Sequence, residues 1–197
     1  MTSREDILGR LRRVQPAPRA LPNVPLYDTH LPPALETFKK NLARMGGQWC
    51  EPAPDQTLED LVARRFPTAA VVCSAVAEVA GTRRVAQVAA PRDLADVDVG
   101  IVRPAFAVAE TGSIWLSERE YGVNALGYLS QHLVALLDPA DIVGNLHEAY
   151  HRREFLDARY AVLMSGPSAT ADIEGVLIRG AQGIRSLTVI PVQRGLR

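Results

Sequence analysis

The apolar positions along the chain change rhythm near residue 55. Before it they recur at helical spacing in two stretches separated by prolines; after it, compact apolar runs alternate with amphipathic ones. Ser3-Arg4-Glu5-Asp6 reads as an N-cap with acids in the first turn, and Ile7, Leu8, Leu11 and Val14 follow at helical spacing. Eight of the fourteen prolines precede residue 55, and the stretch from Pro16 to Pro33 is a poor place for regular structure. A second helix is predicted from Ala34 to Met45, with Leu35, Phe38, Leu42 and Met45 on one face and Gly46-Gly47 to end it. Residues 1–54 therefore read as an N-terminal helical arm, either packed on the core or reaching a partner subunit.

Residues 55–197 read as an α/β core. Thr57-Leu58-Glu59-Asp60 opens a short helix, Ala69 to Cys73 is a buried strand, Ala75 to Gly81 a helix and Arg84 to Ala89 a strand. Phe106 to Ala109 and Ser113 to Leu116 flank a Glu-Thr-Gly turn. Gln131 to Leu137 is a strand, and Asp138-Pro139-Ala140-Asp141 is a strong helix start, predicting a helix to about Phe155. Tyr160 to Met164 and Ser186 to Val192 are the last strands. Short apolar strands alternating with helices argue for a largely parallel sheet flanked by helices.

Composition narrows the chemistry. Acidic and basic residues balance at 22 each, so no global field draws in nucleic acid or an anionic membrane. The only lysines are Lys39 and Lys40, which leaves no lysine for a Schiff base or a phosphate loop beyond them. Two cysteines, Cys50 and Cys73, cannot supply the four thiolates of an iron–sulfur cluster. No apolar segment approaches the length of a membrane span, and no leader is evident; the expectation is a cytoplasmic protein.

Two polar segments stand out. Ala109-Glu110-Thr111-Gly112-Ser113 offers a carboxylate, two hydroxyls and a glycine between apolar runs. Glu110 suits a base or nucleophile at a strand end; a plain β-turn is the alternative. Ser165 to Gly175 carries Ser165, Ser168, Thr170, Asp172 and Glu174. If Tyr160 to Met164 were a parallel strand, this loop would lie at its carboxyl end, with the next helix offering backbone N–H groups to an anion. A tight Gly-Pro turn with a capping hydroxyl is the alternative. His147-Glu148-Ala149-Tyr150-His151 matches the zinc pattern H-E-x-x-H, but Arg152 follows directly and a third ligand is missing, so an exposed helix face is the better reading. Cys73 and His132 read as core residues.

Taken together, the first segment and Ser165-Gly166-Pro167-Ser168-Ala169-Thr170-Ala171-Asp172-Ile173-Glu174, about fifty residues later, resemble the LUD-domain family. The resemblance covers residues 55–197. It implies a fold like that of ribose-phosphate isomerase, glucosamine-phosphate deaminase and CoA transferases. It also implies a part in oxidising L-lactate to pyruvate with iron–sulfur partner proteins, the clusters residing in the partners and no cofactor in this chain. The chain departs from the family at Gly180-Ala181-Gln182-Gly183-Ile184, where relatives carry Gly-x-His-Gly-Pro; Gln182 retains hydrogen bonding but not a proton shuttle.

The resemblance favours a ligand site over plain turns. Glu110 and Asp172 are its candidate catalytic acids. Thr111, Gly112, Ser113, Ser165, Gly166, Ser168, Thr170 and Glu174 are candidate contacts to a small hydroxylated ligand, for which acids beside donors are suited. A free-standing isomerase, hydrolase or acyl transferase acting on a small phosphorylated or CoA-linked substrate through Glu110 is the second reading, and a regulatory binding module a third.

Overall fold

The computed structural model describes residues 3–171, 177–179 and 182–195. Its strands, in chain order, are β1 (Gln48–Trp49), β2 (Val72–Ser74), β3 (Arg83–Arg84), β4 (Val99–Val102), β5 (Phe106–Val108) and β6 (Ser113–Ser117). They continue as β7 (His132–Leu137), β8 (Ile142–Val143), β9 (Ala161–Met164), β10 (Ala169–Ala171), β11 (Leu177–Arg179) and β12 (Ser186–Pro191). The α-helices are α1 (Ser3–Arg13), α2 (Ala34–Arg44), α3 (Leu58–Arg65), α4 (Glu118–Tyr121), α5 (Leu126–Leu129), α6 (Leu146–Tyr150) and α7 (Arg153–Asp157).

Six strands form a parallel sheet in the order β1-β12-β7-β4-β2-β3. A second sheet, β8-β5-β6-β9, is mixed: β5 runs parallel to β8, and β6 runs antiparallel to both β5 and β9. A hairpin of β10 and β11 follows.

The continuous apolar runs of β4, β7 and β12 are explained by burial on both faces. Leu133, Ala135 and Leu137 of β7 enter one core with Leu187 and Val189 of β12; Val134 and Leu136 enter the other with Val99 and Ile101 of β4. The period of two along a strand sends alternate side chains to opposite faces. On the first face the second sheet and α2 cover the core through Ile114, Leu116, Phe38 and Leu42; on the other, Leu61 and Val62 of α3 close it. The outer face of the second sheet packs Phe106 and Trp115, stacked at 5.2 Å, beneath Ala149 and Phe155.

Several predicted elements differ from this arrangement. The single helix expected from Asp138 to Phe155 is a 3₁₀ turn, strand β8 and two short helices. Asp138 does cap, accepting from the Ala140 N–H at 3.0 Å, but β5 offers residues 142–143 a ladder partner and Asn145 starts α6 afresh. Residues 75–81, expected as a helix, form bends instead. Ser74 Oγ holds both the N–H and the carbonyl of Val76, and Arg84 donates to the Val76 and Val79 carbonyls. The strand expected at 84–89 is confined to Arg83–Arg84, with a 3₁₀ turn after it. Within residues 1–54, α2 and β1 are built into the core, whereas α1 buries none of its residues.

Candidate functional site

Both polar segments owe their positions to the second sheet. Strands β6 and β9 pair with Ile114 opposite Met164, so Ser113 and Ser165, one step beyond, begin neighbouring loops at the same end of the sheet. This overturns the expected parallel strand: β9 is antiparallel to β6, and the chain directly after Ser168 enters β10 rather than a helix.

One loop presses on α2 and the other on the turn that ends it. Gly112 and Gly166 have left-handed backbones, φ +61° and +73°. A Cβ on Gly112 would lie 2.3 Å from the backbone nitrogen of Leu42, and one on Gly166 2.3 Å from the carbonyl oxygen of Met45. Glycine is required at each for conformation and for room. Asn41 secures the first loop, its Nδ2 donating to the carbonyls of Ala109 (2.9 Å) and Glu110 (3.0 Å). Sequence reasoning missed Asn41. Its one signal was a weak helix former inside an amphipathic helix, which says nothing about a partner 68 residues away.

The side chains then diverge. Thr111 and Ser113 share a hydrogen bond between their hydroxyls, and Ser113 is buried. Glu110 Oε2 accepts from the N–H of Leu146 at 3.0 Å, at the start of α6, where Asn145 caps by accepting from Glu148 N–H at 2.9 Å. Glu110 lines a cavity of about 650 Å³ together with Asn41, Asn145, His147, Tyr27 and Val24. The arm supplies one wall: Asn145 Nδ2 donates to the carbonyls of Leu26 and Tyr27, and the Tyr27 and His147 rings lie 4.7 Å apart.

Ser165, Gly166 and Ser168 instead line a cavity of about 290 Å³ with Tyr128, Gln182 and Ile184. Ser168 donates from its backbone to the Ile184 carbonyl (2.9 Å) and from its hydroxyl to the Gln182 carbonyl. Gln182 thus meets the second segment through its main chain. Thr170 lies in β10, its backbone paired with Ile178. Asp172 and Glu174 lie outside the described residues, as do Gly180 and Ala181. The structure therefore sets the two segments side by side on α2 and the turn that ends it, with Glu110 and Ser168 facing separate cavities.

The remaining candidates have local roles. Glu148 of the H-E-x-x-H run accepts from Gly144 N–H at 2.6 Å, His147 faces the arm and His151 is exposed beyond α6. Among the described residues no group of three or more His, Cys, Asp or Glu is placed to hold a metal ion. His132 Nδ1 meets Ser186 Oγ at 2.8 Å beside the Phe66 ring, and burial, then Arg185, pushes its pKa down. Cys73 is buried, which raises its thiol pKa and suits packing rather than attack; Cys50 is also free.

The fold and loops define an α/β protein with a parallel sheet flanked by helices and polar loops gathered at the end of a second sheet. The LUD domain profile matches residues 73–192, more than half of the chain and inclusive of both polar segments, and the chain belongs to the LUD-domain family. Among solved structures, a DUF162 family protein from Deinococcus radiodurans aligns with a TM-score of 0.59 and 20% identity, covering 81% of this chain and 96% of that one. At that identity the likeness speaks to the fold. No curated protein matches significantly.

Proposed function

We propose that the chain is a component of an L-lactate-oxidising system of the lactate utilization protein C type, working in the cytoplasm beside iron–sulfur partner proteins and binding a small hydroxylated ligand at its polar loops. The observation that carries this reading is the close packing of both family segments on neighbouring backbone, the first on α2 at Asn41 and Leu42 and the second on Met45 and Gly47 just beyond it, each through a glycine of left-handed backbone. With two cysteines in the chain, electron transfer through clusters falls to partners. No helix among the described residues is long and apolar enough to cross a membrane. Deleting the coding sequence should abolish growth on L-lactate, and affinity purification should retain cysteine-rich iron–sulfur proteins. Normal growth with no such protein retained would refute the proposal.

A second reading, an isomerase, hydrolase or acyl transferase using Glu110, draws on the exposure of that carboxylate to the larger cavity. Against it stands the bond from Leu146 N–H, which gives Glu110 a structural task.

A further inference from the structure

Helix α1 is a well-formed amphipathic helix with nothing beneath it. Ile7, Leu11 and Val14 share one face at helical intervals and all stand exposed, with Arg4 and Arg10 flanking the stripe. Elsewhere on the molecule an apolar groove is equally unfilled. It is a cavity of about 360 Å³ between α3 and β2, floored by buried Val62 and Val79 and walled by Phe66, Ala69, Val72 and Ala80. Glu59 on its rim is exposed and makes no hydrogen bond or ion pair among the described residues. An amphipathic helix laid into an apolar groove is a recurrent mode of recognition.

The tether of α1 decides whose groove it can reach. Asn145 Nδ2 holds the carbonyls of Leu26 and Tyr27, which fixes the arm beside β8 and α2, and α2 packs along β1. The groove lies diagonally opposite. Strand β2 and the edge strand β3 stand at the far end of the parallel sheet from β1, and Val62 and Val79 enter the core on the face away from α2. A path over the molecule from one to the other crosses the width of six strands and two layers, roughly 44 Å at the usual strand and layer spacings. Residues 14–25 form the tether; they are exposed, contain no helix or strand and include Pro16, Pro18, Pro22 and Pro25. At the rise of an extended proline-rich chain they span about 37 Å. The tether therefore falls short of the chain's own groove, while it projects α1 clear of the body toward a second copy.

We propose that α1 seats in the α3–β2 groove of a second copy of this chain, the exchange being reciprocal about a two-fold axis. Ile7, Leu11 and Val14 fill the apolar floor, and the arginines flanking them approach Glu59, so the charges at the two rims are opposite. Reciprocity gives closure. Head-to-tail use of the same two surfaces adds copies without limit, whereas a two-fold exchange occupies both helices and both grooves. The contact is small, one helix of 11 residues in each direction, which puts the dimer at the weak end of specific interfaces. Dissociation in the micromolar range leaves dilute protein monomeric and its melting temperature nearly independent of α1. The inference concerns assembly and does not rest on the lactate reading, which concerns the loops at α2.

Sedimentation velocity of the full chain, from low micromolar to several hundred micromolar and without added ligand, tests it; a monomer–dimer equilibrium is expected. Leu11→Asp, at an exposed position, should weaken the dimer at least tenfold without moving the melting temperature of dilute protein. Glu59→Arg should weaken it several-fold, and adding Arg4→Glu and Arg10→Glu should restore part of that loss. With Cys50→Ser removing the half-buried thiol, Leu11→Cys combined with Ala63→Cys in the groove should give a disulfide-linked dimer on a non-reducing denaturing gel. A chain that stays monomeric at every concentration, or a dimer that survives Leu11→Asp, would overturn the proposal. So would a cross-link confined within single chains, which would seat α1 in its own groove. None of these readouts involves lactate or iron–sulfur proteins, so either proposal can fail while the other stands.

Discussion

Gly112 and Gly166 illustrate how little a side-chain inventory says about a loop. Each was a candidate ligand contact, and each proves to be the residue that lets a loop touch α2 or the turn that ends it. Gly112→Ala and Gly166→Ala should each destabilise the protein by more than about 1–2 kcal/mol, the cost of a left-handed non-glycine residue, with the steric clash added. Denaturant unfolding of each variant measures this. Asn41→Ala leaves the Ala109 and Glu110 carbonyls without their donor and should cost about 1–3 kcal/mol. Glu110→Gln preserves an oxygen acceptor for Leu146 N–H, so its melting temperature should hold near the parent's. If the enzymatic reading is right, turnover should vanish in that variant; a large fall in melting temperature would mark Glu110 as structural.

At the scale of elements, α1 and α2 share helical periodicity but not a role. Phe38 and Leu42 of α2 are fully buried between the sheets, and Leu42→Ala should cost about 2–5 kcal/mol in unfolding experiments. Helix α1 buries nothing, and Ile7 and Leu11 stand 55% exposed. Truncation after Val14 should therefore shift the melting temperature by no more than a degree or two, because little apolar area leaves the core. Removing residues 1–33 takes Tyr27 and Leu26 from Asn145 and opens the larger cavity, so a measurable loss of stability is expected there. The helices α6 and α7 show the opposite lesson. A well-formed Asp-Pro cap starts only a 3₁₀ turn when a neighbouring strand competes for the residues that follow.

For the whole molecule, titration sets a window of stability. Burial lowers the pKa of His132, so the folded state favours the neutral ring and its contribution is lost as pH falls below about 6.5. The Asp96 carboxyl is lowered by hydrogen bonding from Arg83, Glu118 by the N–H groups of Arg159 and Tyr160, and Asp138 by those of Arg194 and Ala140. Their contributions are present above the ordinary carboxyl pKa near 4 and vanish as pH falls through the lower folded values. At the alkaline end, burial first and then Tyr128 raise Tyr121, so stability falls as pH rises beyond about 10, where the unfolded phenol ionises. Thermal melting across pH should trace a plateau with an acid shoulder, a steeper acid limb and an alkaline decline. Replacing His132 with Asn should remove the shoulder alone.

Much of the architecture was legible from the chain alone because strands buried on both faces are predominantly apolar. Runs such as His132–Leu137 and Ser186–Pro191 announce themselves whatever surrounds them. The paired polar segments stood out as well, though a plain turn remained the alternative for each and only their pairing pointed to the family. What sequence could not supply was relation. Whether β9 runs parallel or antiparallel, what backbone receives the two loops, and which cavity Glu110 faces depend on partners tens of residues distant. Only packing chose Asn41 as the clasp of the Glu110 turn. Local patterns encode which surfaces must be buried; the contacts that bury them arise only when the chain closes on itself.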